Sequence, residues 1–356
     1  MPIALALTLT SRAFFQALAP VCEFARVVAP SAGSHGKLSL ERRLSFLRQH
    51  GSFTLAYSAA VQRGLEYFGD ENGFIAYRTV SGTAMVLADP VAAVADRAKL
   101  IREFLAVKSK VCFCQVSRPT AEILAAMGFL VNEMGTDIRI DLPGYKRKSL
   151  RHDFNRVTRA GTVIKEGSAA EIGIDAIREV SDRWRRMRTF KEREVTFLNR
   201  PIVLEDEPDV RKFFAFDRDG KLVGFAYYDP IYEDGQVVGY STSFKRRLPE
   251  ADTNICNALL HVAMEAFRAE GRKYLYLGLS PMADIEDKDF RHSRVLNKVF
   301  RASFTNPLFN RYVYPIKGHA SHKGSYRGTA EQTYFAFRSG FSLPNVEKMV
   351  RACFRV

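Results

Sequence analysis

Apolar residues follow two rhythms along this chain. Between Val94 and Val107 they fall at Leu100, Ile101, Phe104 and Leu105, the spacing of one helix face. Short apolar runs at 73–79, 83–88 and 111–116, bounded by Gly, Asp and Asn, read as strands. The pattern also predicts a helix over 39–50, strands over 53–58 and 65–68, a helix over 120–127, and two short strands between Phe129 and Ile140. The second half repeats this order. Lys146–Arg159 and Ala169–Arg188 read as helices. Phe213–Asp217 and Leu222–Asp229 read as strands joined by the tight turn Arg218-Asp219-Gly220. A strand over Val237–Phe244, a helix over Asn254–Ala269 and a strand over Lys273–Leu279 follow.

Strands, then a helix, then a strand, occurring twice, predict an α/β (α+β) protein built from two related domains. Asp89-Pro90-Val91 and Asp229-Pro230-Ile231 stand at matching points of the two copies. The expected divisions are an apolar N-terminal segment with a linker over 1–36, a first domain over 37–143 and a second over 144–356. Residues Ala29–Gly36 are small and turn-rich, as a linker requires. The apolar stretch before them lacks a basic leader and is short, so it reads as a docked or membrane-surface helix rather than a cleaved signal.

Charge changes the picture more than composition does. The 356 residues carry 53 Lys and Arg against 39 Asp and Glu, a net charge of +14, which favours anionic partners. The five cysteines include one Cys-x-Cys, Cys112 and Cys114, whose strand spacing is poor for a disulfide. Reduced thiols in a cytoplasm are therefore expected. The expected location is the cytoplasm, with a peripheral seat on the inner face of the plasma membrane open to the chain.

The basic residues cluster. One run holds Lys146, Arg147, Lys148, Arg151, Arg156 and Arg159, with Leu150, Phe154 and Val157 on the opposite face. A second holds Arg183, Arg185, Arg186, Arg188, Lys191 and Arg193. A third, Arg291, Arg294, Lys298 and Arg301, has the spacing of one helix face. Distributed cations of this kind bind phosphate backbones without reading bases. No helix-turn-helix, zinc-finger or RNP signature accompanies them, which argues against sequence-specific DNA recognition. Structured RNA and anionic lipid stay open as partners.

Familiar catalytic motifs are missing: the chain has no G-x-S-x-G elbow and no Walker loop. His319 and His322 form an H-x-x-H without a third ligand nearby, so no metal site is expected.

What stands out is a polar, basic loop running from Lys317 into an aromatic, β-rich end at Ala336. It resembles the C-terminal signature of bacterial aminoacyl-phosphatidylglycerol synthases, the multiple peptide resistance factor family. Their pattern runs Tyr-Lys-x-Lys-Phe-x-Pro-x-Trp-Glu-x-x-Tyr-Leu-Ala. Lys323 matches the first Lys, Tyr326 the Phe, Glu331 the Glu, and Tyr334-Phe335-Ala336 the ending. Val86-Leu-Ala-Asp89-Pro90-Val91, the helix from Lys148 to Gly161, and Gly278-Leu-Ser280-Pro281-Met resemble three further family segments in the same order. The likeness covers about residues 45–338.

The resemblance implies tandem acetyltransferase-like (GNAT) domains, each a mixed, mostly antiparallel sheet flanked by helices. It implies aminoacyl-tRNA as co-substrate, no further cofactor, and a lipid acceptor such as phosphatidylglycerol. It places Gly278, Ser280, Pro281, Tyr326, Glu331 and Tyr334 at the substrate, and Lys148, Arg151, Arg156, Arg159, Arg291, Arg294 and Lys298 on tRNA phosphates. Where the family carries Asp-x-x-Arg, this chain has Ser243-Phe-Lys-Arg246, which puts lysine as the transferred residue in doubt. Ser325 and Ala330 replace a Lys and a Trp.

Lys323 is then the candidate cation for the oxyanion of acyl transfer, with Arg246 positioning donor phosphate or carbonyl. No residue is an obvious general base. Two rival readings remain. An acyl-CoA transferase would need a glycine-rich pyrophosphate turn, and Arg246-Arg-Leu-Pro-Glu-Ala-Asp-Thr-Asn has no glycine. A non-catalytic RNA- or membrane-binding module would need the basic faces but not Lys323. Oligomeric state is not legible.

Overall fold

The computed structural model describes residues 38–187, 194–312, 314–338 and 342–354. The N-terminal apolar segment and linker of 1–36 lie outside these residues, as do Arg188, Lys191 and Arg193. Lys37 to Val356 form one compact unit.

The unit opens with helix α1 (Leu40–His50), whose first turn is capped by Ser39 accepting from the Arg42 N–H. Helix α2 (Ala56–Val61) leads to β1 (Glu66–Gly69), β2 (Gly73–Val80), β3 (Thr83–Leu87) and the short β4 (Val91–Ala92). Helix α3 (Val94–Val107) then crosses to β5 (Val111–Val116), followed by α4 (Arg118–Ala126) and the long β6 (Leu130–Asp141). The second half brings α5 (Lys148–Arg159), β7 (Val163–Glu166), α6 (Ala169–Ile172) and α7 (Ile174–Arg186). After these come β8 (Arg211–Phe216), β9 (Leu222–Glu233), β10 (Gln236–Arg247), α8 (Ile255–Ala269) and β11 (Tyr274–Pro281). Helices α9 (Arg294–Thr305), α10 (Pro307–Tyr312) and α11 (Ile316–Gly324), strand β12 (Thr329–Phe337) and α12 (Ser342–Phe354) complete it.

All strands join one mixed sheet of order β1-β2-β3-β5-β12-β6-β11-β10-β9-β8-β7, with β4 on β2. Each half contains one parallel pair reached through a helix: β3 and β5 across α3, and β10 and β11 across α8. The same order, antiparallel strands and then a helical crossover to a parallel neighbour, thus occurs twice. The halves do not own separate sheets. β6 pairs with β11, and β12 is threaded between β5 and β6, so a strand from late in the sequence lies at the centre of the sheet.

Helices cover the sheet because their apolar stripes demand it. Helix α8 buries Ile255, Ala258, Leu259, Ala263 and Phe267. Phe267 stacks on Tyr240 at 4.1 Å and meets Phe213 and Tyr228 edge-on, contacts each worth about 0.5–1.5 kcal/mol beyond burial. Helices α3 and α4 cover the first half on one side, and α1, α2 and α12 pack in a second core.

Four expectations are corrected. Residues 53–58 do not form a strand; α2 begins at Ala56 and is buried on all sides from Ala56 to Ala60, so its short apolar run carries no helical periodicity to read. Phe129–Ile140 is one strand, β6, bonded on both edges, rather than two short ones. Arg291 is not on a helix with Arg294 and Lys298, because Ser293 caps α9 through the Leu296 N–H and the helix starts at Arg294. Finally, Lys323 sits on helix α11 and not in a loop. With glycines at 318 and 324 this segment has poor helix propensity. It is held by tertiary contacts: Ile316 is buried, and Lys323 bonds to β11.

Asp229-Pro230 lies inside β9. Pairing with β8 stops at Tyr228, so the missing N–H of Pro230 faces no neighbour on that side.

Candidate active site

The site lies where β10 and β11 part. Their parallel pairing runs only from Gly239–Tyr274 to Ser241–Tyr276. Beyond it, β10 continues along β9 to Arg247, while β11 continues along β6 to Pro281. Both strands are irregular at the fork: β10 shifts register between Thr242 and Phe244, and β11 between Tyr276 and Leu279. Gly278 takes φ +82° there, a conformation that favours glycine.

Strands that part leave carbonyl groups without ladder partners, and such groups must be satisfied. Lys323 does this from α11. Its Nζ donates to the Gly278 and Leu279 carbonyl oxygens, each at 2.8 Å. An ammonium has three protons, so one donor is left over. Burial pulls the Lys323 pKa down to about 8; the Asp137 carboxylate opposes this shift and the Lys245 ammonium adds to it.

Asp137 is the residue the sequence reading missed. It stands in the middle of β6, opposite Leu279 on one side and Glu331 on the other. It is fully buried. The Thr54 hydroxyl and the Gly278 N–H are the polar groups that approach its carboxylate, although among the described residues neither oxygen closes a hydrogen bond of full geometry. Burial pushes its pKa up to about 6, against the pull of Lys323. An acid at a central position of a long strand was the available signal, but only the β6–β11–β12 pairing brings it to Lys323.

The other expected residues divide. Gly278 meets Lys323 directly. Ser280 is buried on the same strand, its hydroxyl without a partner, and Pro281 pairs with Gly135 at the strand end. Ser243 stays half-exposed on β10, beyond the fork. Glu331 is ion-paired with Arg139 and accepts from the Tyr276 hydroxyl at 2.8 Å, which ties β12 to β6 and β11. Tyr326 is a buried anchor. Its hydroxyl donates to Asn257 Oδ1 at 2.6 Å, and Arg147 lies over its ring at 4.2 Å. Tyr334 belongs to the core under α3 and α4, edge-on to Phe290.

Arg246 is committed elsewhere. It is buried in a two-pronged ion pair with Glu194 at 2.9 Å, donates to Ser181, and lies over Trp184 at 4.8 Å. Asp89 does what a turn residue does. It accepts from the Ser117 N–H at the start of α4 and pairs with buried Arg97.

Of the basic set, Lys148, Arg151 and Arg159 are exposed on α5, whose Leu150 and Val157 face the core. Arg156 pairs with Asp252 at 3.4 Å. Arg294 and Lys298 are exposed on α9, with Arg291 exposed just before it. In the second run, Arg183 pairs with Glu250 and Arg185 with Asp182, so its described part is partly neutralised.

The family model described as phosphatidylglycerol lysyltransferase, C-terminal, matches residues 44–337, most of the chain. The chain belongs to this family. Within the lysyltransferase C-terminal family, it shares its fold with L-PGS from Bacillus licheniformis, at TM-score 0.74 and 21% identity over 90% of this chain and 98% of that one. It also shares the fold of the C-terminal domain of a putative lysylphosphatidylglycerol synthetase from Agrobacterium fabrum, at TM-score 0.68 and 20% identity over 88% and 95% of the two chains. An uncharacterized protein of Corynebacterium glutamicum is 22% identical over 333 residues. That match covers 88% of this family member but only 41% of the relative's length. Among the described residues, no helix of this family member is long and apolar enough to cross a membrane.

Proposed function

We propose that the chain transfers an aminoacyl group from aminoacyl-tRNA to an acceptor hydroxyl, with an anionic phospholipid such as phosphatidylglycerol as acceptor. The observation that carries this reading is the Lys323 ammonium held in the fork of β10 and β11, within electrostatic reach of the buried Asp137 carboxylate. Family membership supports the same class of reaction.

The acceptor oxygen attacks the carbonyl carbon of the aminoacyl ester, and a new C–O bond forms. The carbonyl oxygen gains negative charge, which the spare N–H of Lys323 stabilises. Asp137 takes the proton from the acceptor hydroxyl. The ester bond to the tRNA ribose then breaks, and the proton passes to the departing ribose oxygen. One ester is exchanged for another, so no redox partner and no further cofactor is required. Acyl-CoA remains the weaker reading, since the turn before α8 offers no glycine cradle for a pyrophosphate.

Helix α5 supplies the tRNA surface in this reading. Replacing Lys148, Arg151 and Arg159 by Ala is expected to weaken binding of charged and uncharged tRNA alike. The slope of log K against log salt should flatten by roughly 2–3, at about 0.7–0.9 for each lost phosphate contact. Filter binding across a salt series checks this. The reaction itself is tested by incubating the protein with mixed aminoacyl-tRNAs and a membrane lipid extract, followed by mass spectrometry. New aminoacylated lipid supports the reading. Aminoacylation of only a soluble acceptor would overturn the lipid part of it.

A further inference from the structure

Beyond the last β10–β11 pair the sheet centre is not packed shut. Thr242, Ser243 and Lys245 on β10, Gly278 and Leu279 on β11, and Lys323 on α11 are all partly exposed. They belong to the two strands and the helix that meet at the fork, where a Cβ added to Gly278 would stand 3.6 Å from Lys323 Nζ and 3.8 Å from the Thr242 carbonyl oxygen. Arg246, next in sequence to Lys245, is turned away into its ion pair with Glu194.

Lys245 is unlike the other cations of the molecule. Among the described residues it has no hydrogen-bond or ion-pair partner, although the surrounding protein desolvates it and lowers its pKa. The group that opposes this lowering is the Cys256 thiol, and burial raises the pKa of that thiol and keeps it neutral. The charge of Lys245 reaches Lys323 and His322, and lowers the pKa of each. The opposing charge is the Asp137 carboxylate, which raises the pKa of Lys323. Two lysines, Lys245 and Lys323, thus stand near the fork with one carboxylate, Asp137, and Lys245 has no acidic partner among the described residues.

A desolvated, unpaired ammonium is costly to the free protein, and a carboxylate that reaches it forms a charge-assisted hydrogen bond. A lysyl group placed at the same fork would bring a second ammonium towards Lys245. The groups nearest an ester carbonyl held at Lys323 are those of the transferred amino acid itself. We propose that Lys245 selects the transferred residue, so that the donor carries an acidic side chain, aspartyl or glutamyl, rather than lysyl.

This inference rests on the aminoacyl-transfer reading, and its test separates the two. Aspartyl, glutamyl, alanyl and lysyl tRNAs are compared as donors with phosphatidylglycerol vesicles. Binding of the stable aspartyl and lysyl 3′-amides of adenosine is measured by calorimetry. The acidic donors are expected to be preferred over lysyl by at least about tenfold. Lys245→Glu should invert that order, and Lys245→Met should erase it. Lys245→Arg should retain it, and thermal unfolding of each variant confirms the fold. Equal use of lysyl and aspartyl donors by the native protein would overturn the role of Lys245 and leave the transfer reading standing. A Lys245→Glu variant with unchanged donor order and a raised KM for lipid alone would assign Lys245 to the acceptor phosphate, also against the proposal. If no donor is consumed and neither amide binds, both readings fall.

Discussion

Replacing Lys323 by Ala should lower aminoacyl transfer by about 10²- to 10³-fold, the loss expected when one oxyanion donor is removed. The loss should appear in kcat, because the free N–H of Lys323 is used only when the carbonyl oxygen gains charge. A structural cost comes with it. The Gly278 and Leu279 carbonyls lose their donor; both residues are half-exposed, so water replaces part of it and the cost stays below the about 1–3 kcal/mol of a fully buried acceptor. Chemical denaturation measures that part separately. Lys323→Arg is the sharper variant. It keeps a cation in the fork but abolishes the titration near 8, so its residual activity should stay flat as pH rises through 8 to 10. Full activity in Lys323→Ala would remove this side chain from the reaction.

Asp137→Asn is expected to cost about 10²-fold in kcat/KM, the lower range for loss of a positioned base. It should also reshape the pH profile. In the native protein the rate rises as Asp137 loses its proton through about 6 and falls as Lys323 loses its own through about 8. The active window lies between them, with Asp137 ionised and Lys323 charged. The two groups interact, so the limbs belong to the pair. The carboxylate of Asp137 raises the Lys323 pKa. Its removal should therefore abolish the acid limb and move the alkaline limb below 8. A variant with the native alkaline limb would show that Asp137 and Lys323 do not communicate, and the pairing would have to be abandoned. A merely structural role for Asp137 would lower the amount of folded protein without moving either limb.

The balance between these residues reflects a general tension at reactive sites. A buried carboxylate in the middle of a sheet is a cost that packing elsewhere must offset. The cores around α8, α3 and α12 supply that packing, and the fork between β10 and β11 is the place where the sheet gives up its own hydrogen bonds.

Much was legible without coordinates, because it rests on local rules. Helical periodicity marked α3, α5 and α8, and short apolar runs between turn residues marked β2, β3, β5 and β8. The repeated order of elements predicted two similar halves, and a motif likeness singled out Lys323, Gly278 and Glu331. Where local rules are silent, the reading failed. Helix α2 is apolar all round, and α11 is glycine-rich; neither has a periodic face to betray it. Arg246 looked like a free cation because Glu194 lies 52 residues away.

The sequence by itself determined the class of fold and the charge with most of its helical addresses, and a motif likeness nominated Lys323 as a candidate. Strand pairing is non-local, so only the tertiary structure decided that β12 enters between β5 and β6 and carries Glu331 opposite Asp137. The same pairing decided that Lys323 fills the fork, while Arg246 turns into its ion pair with Glu194. Neighbouring side chains on a strand point to opposite faces, and which face meets the fork is set by partners far along the chain.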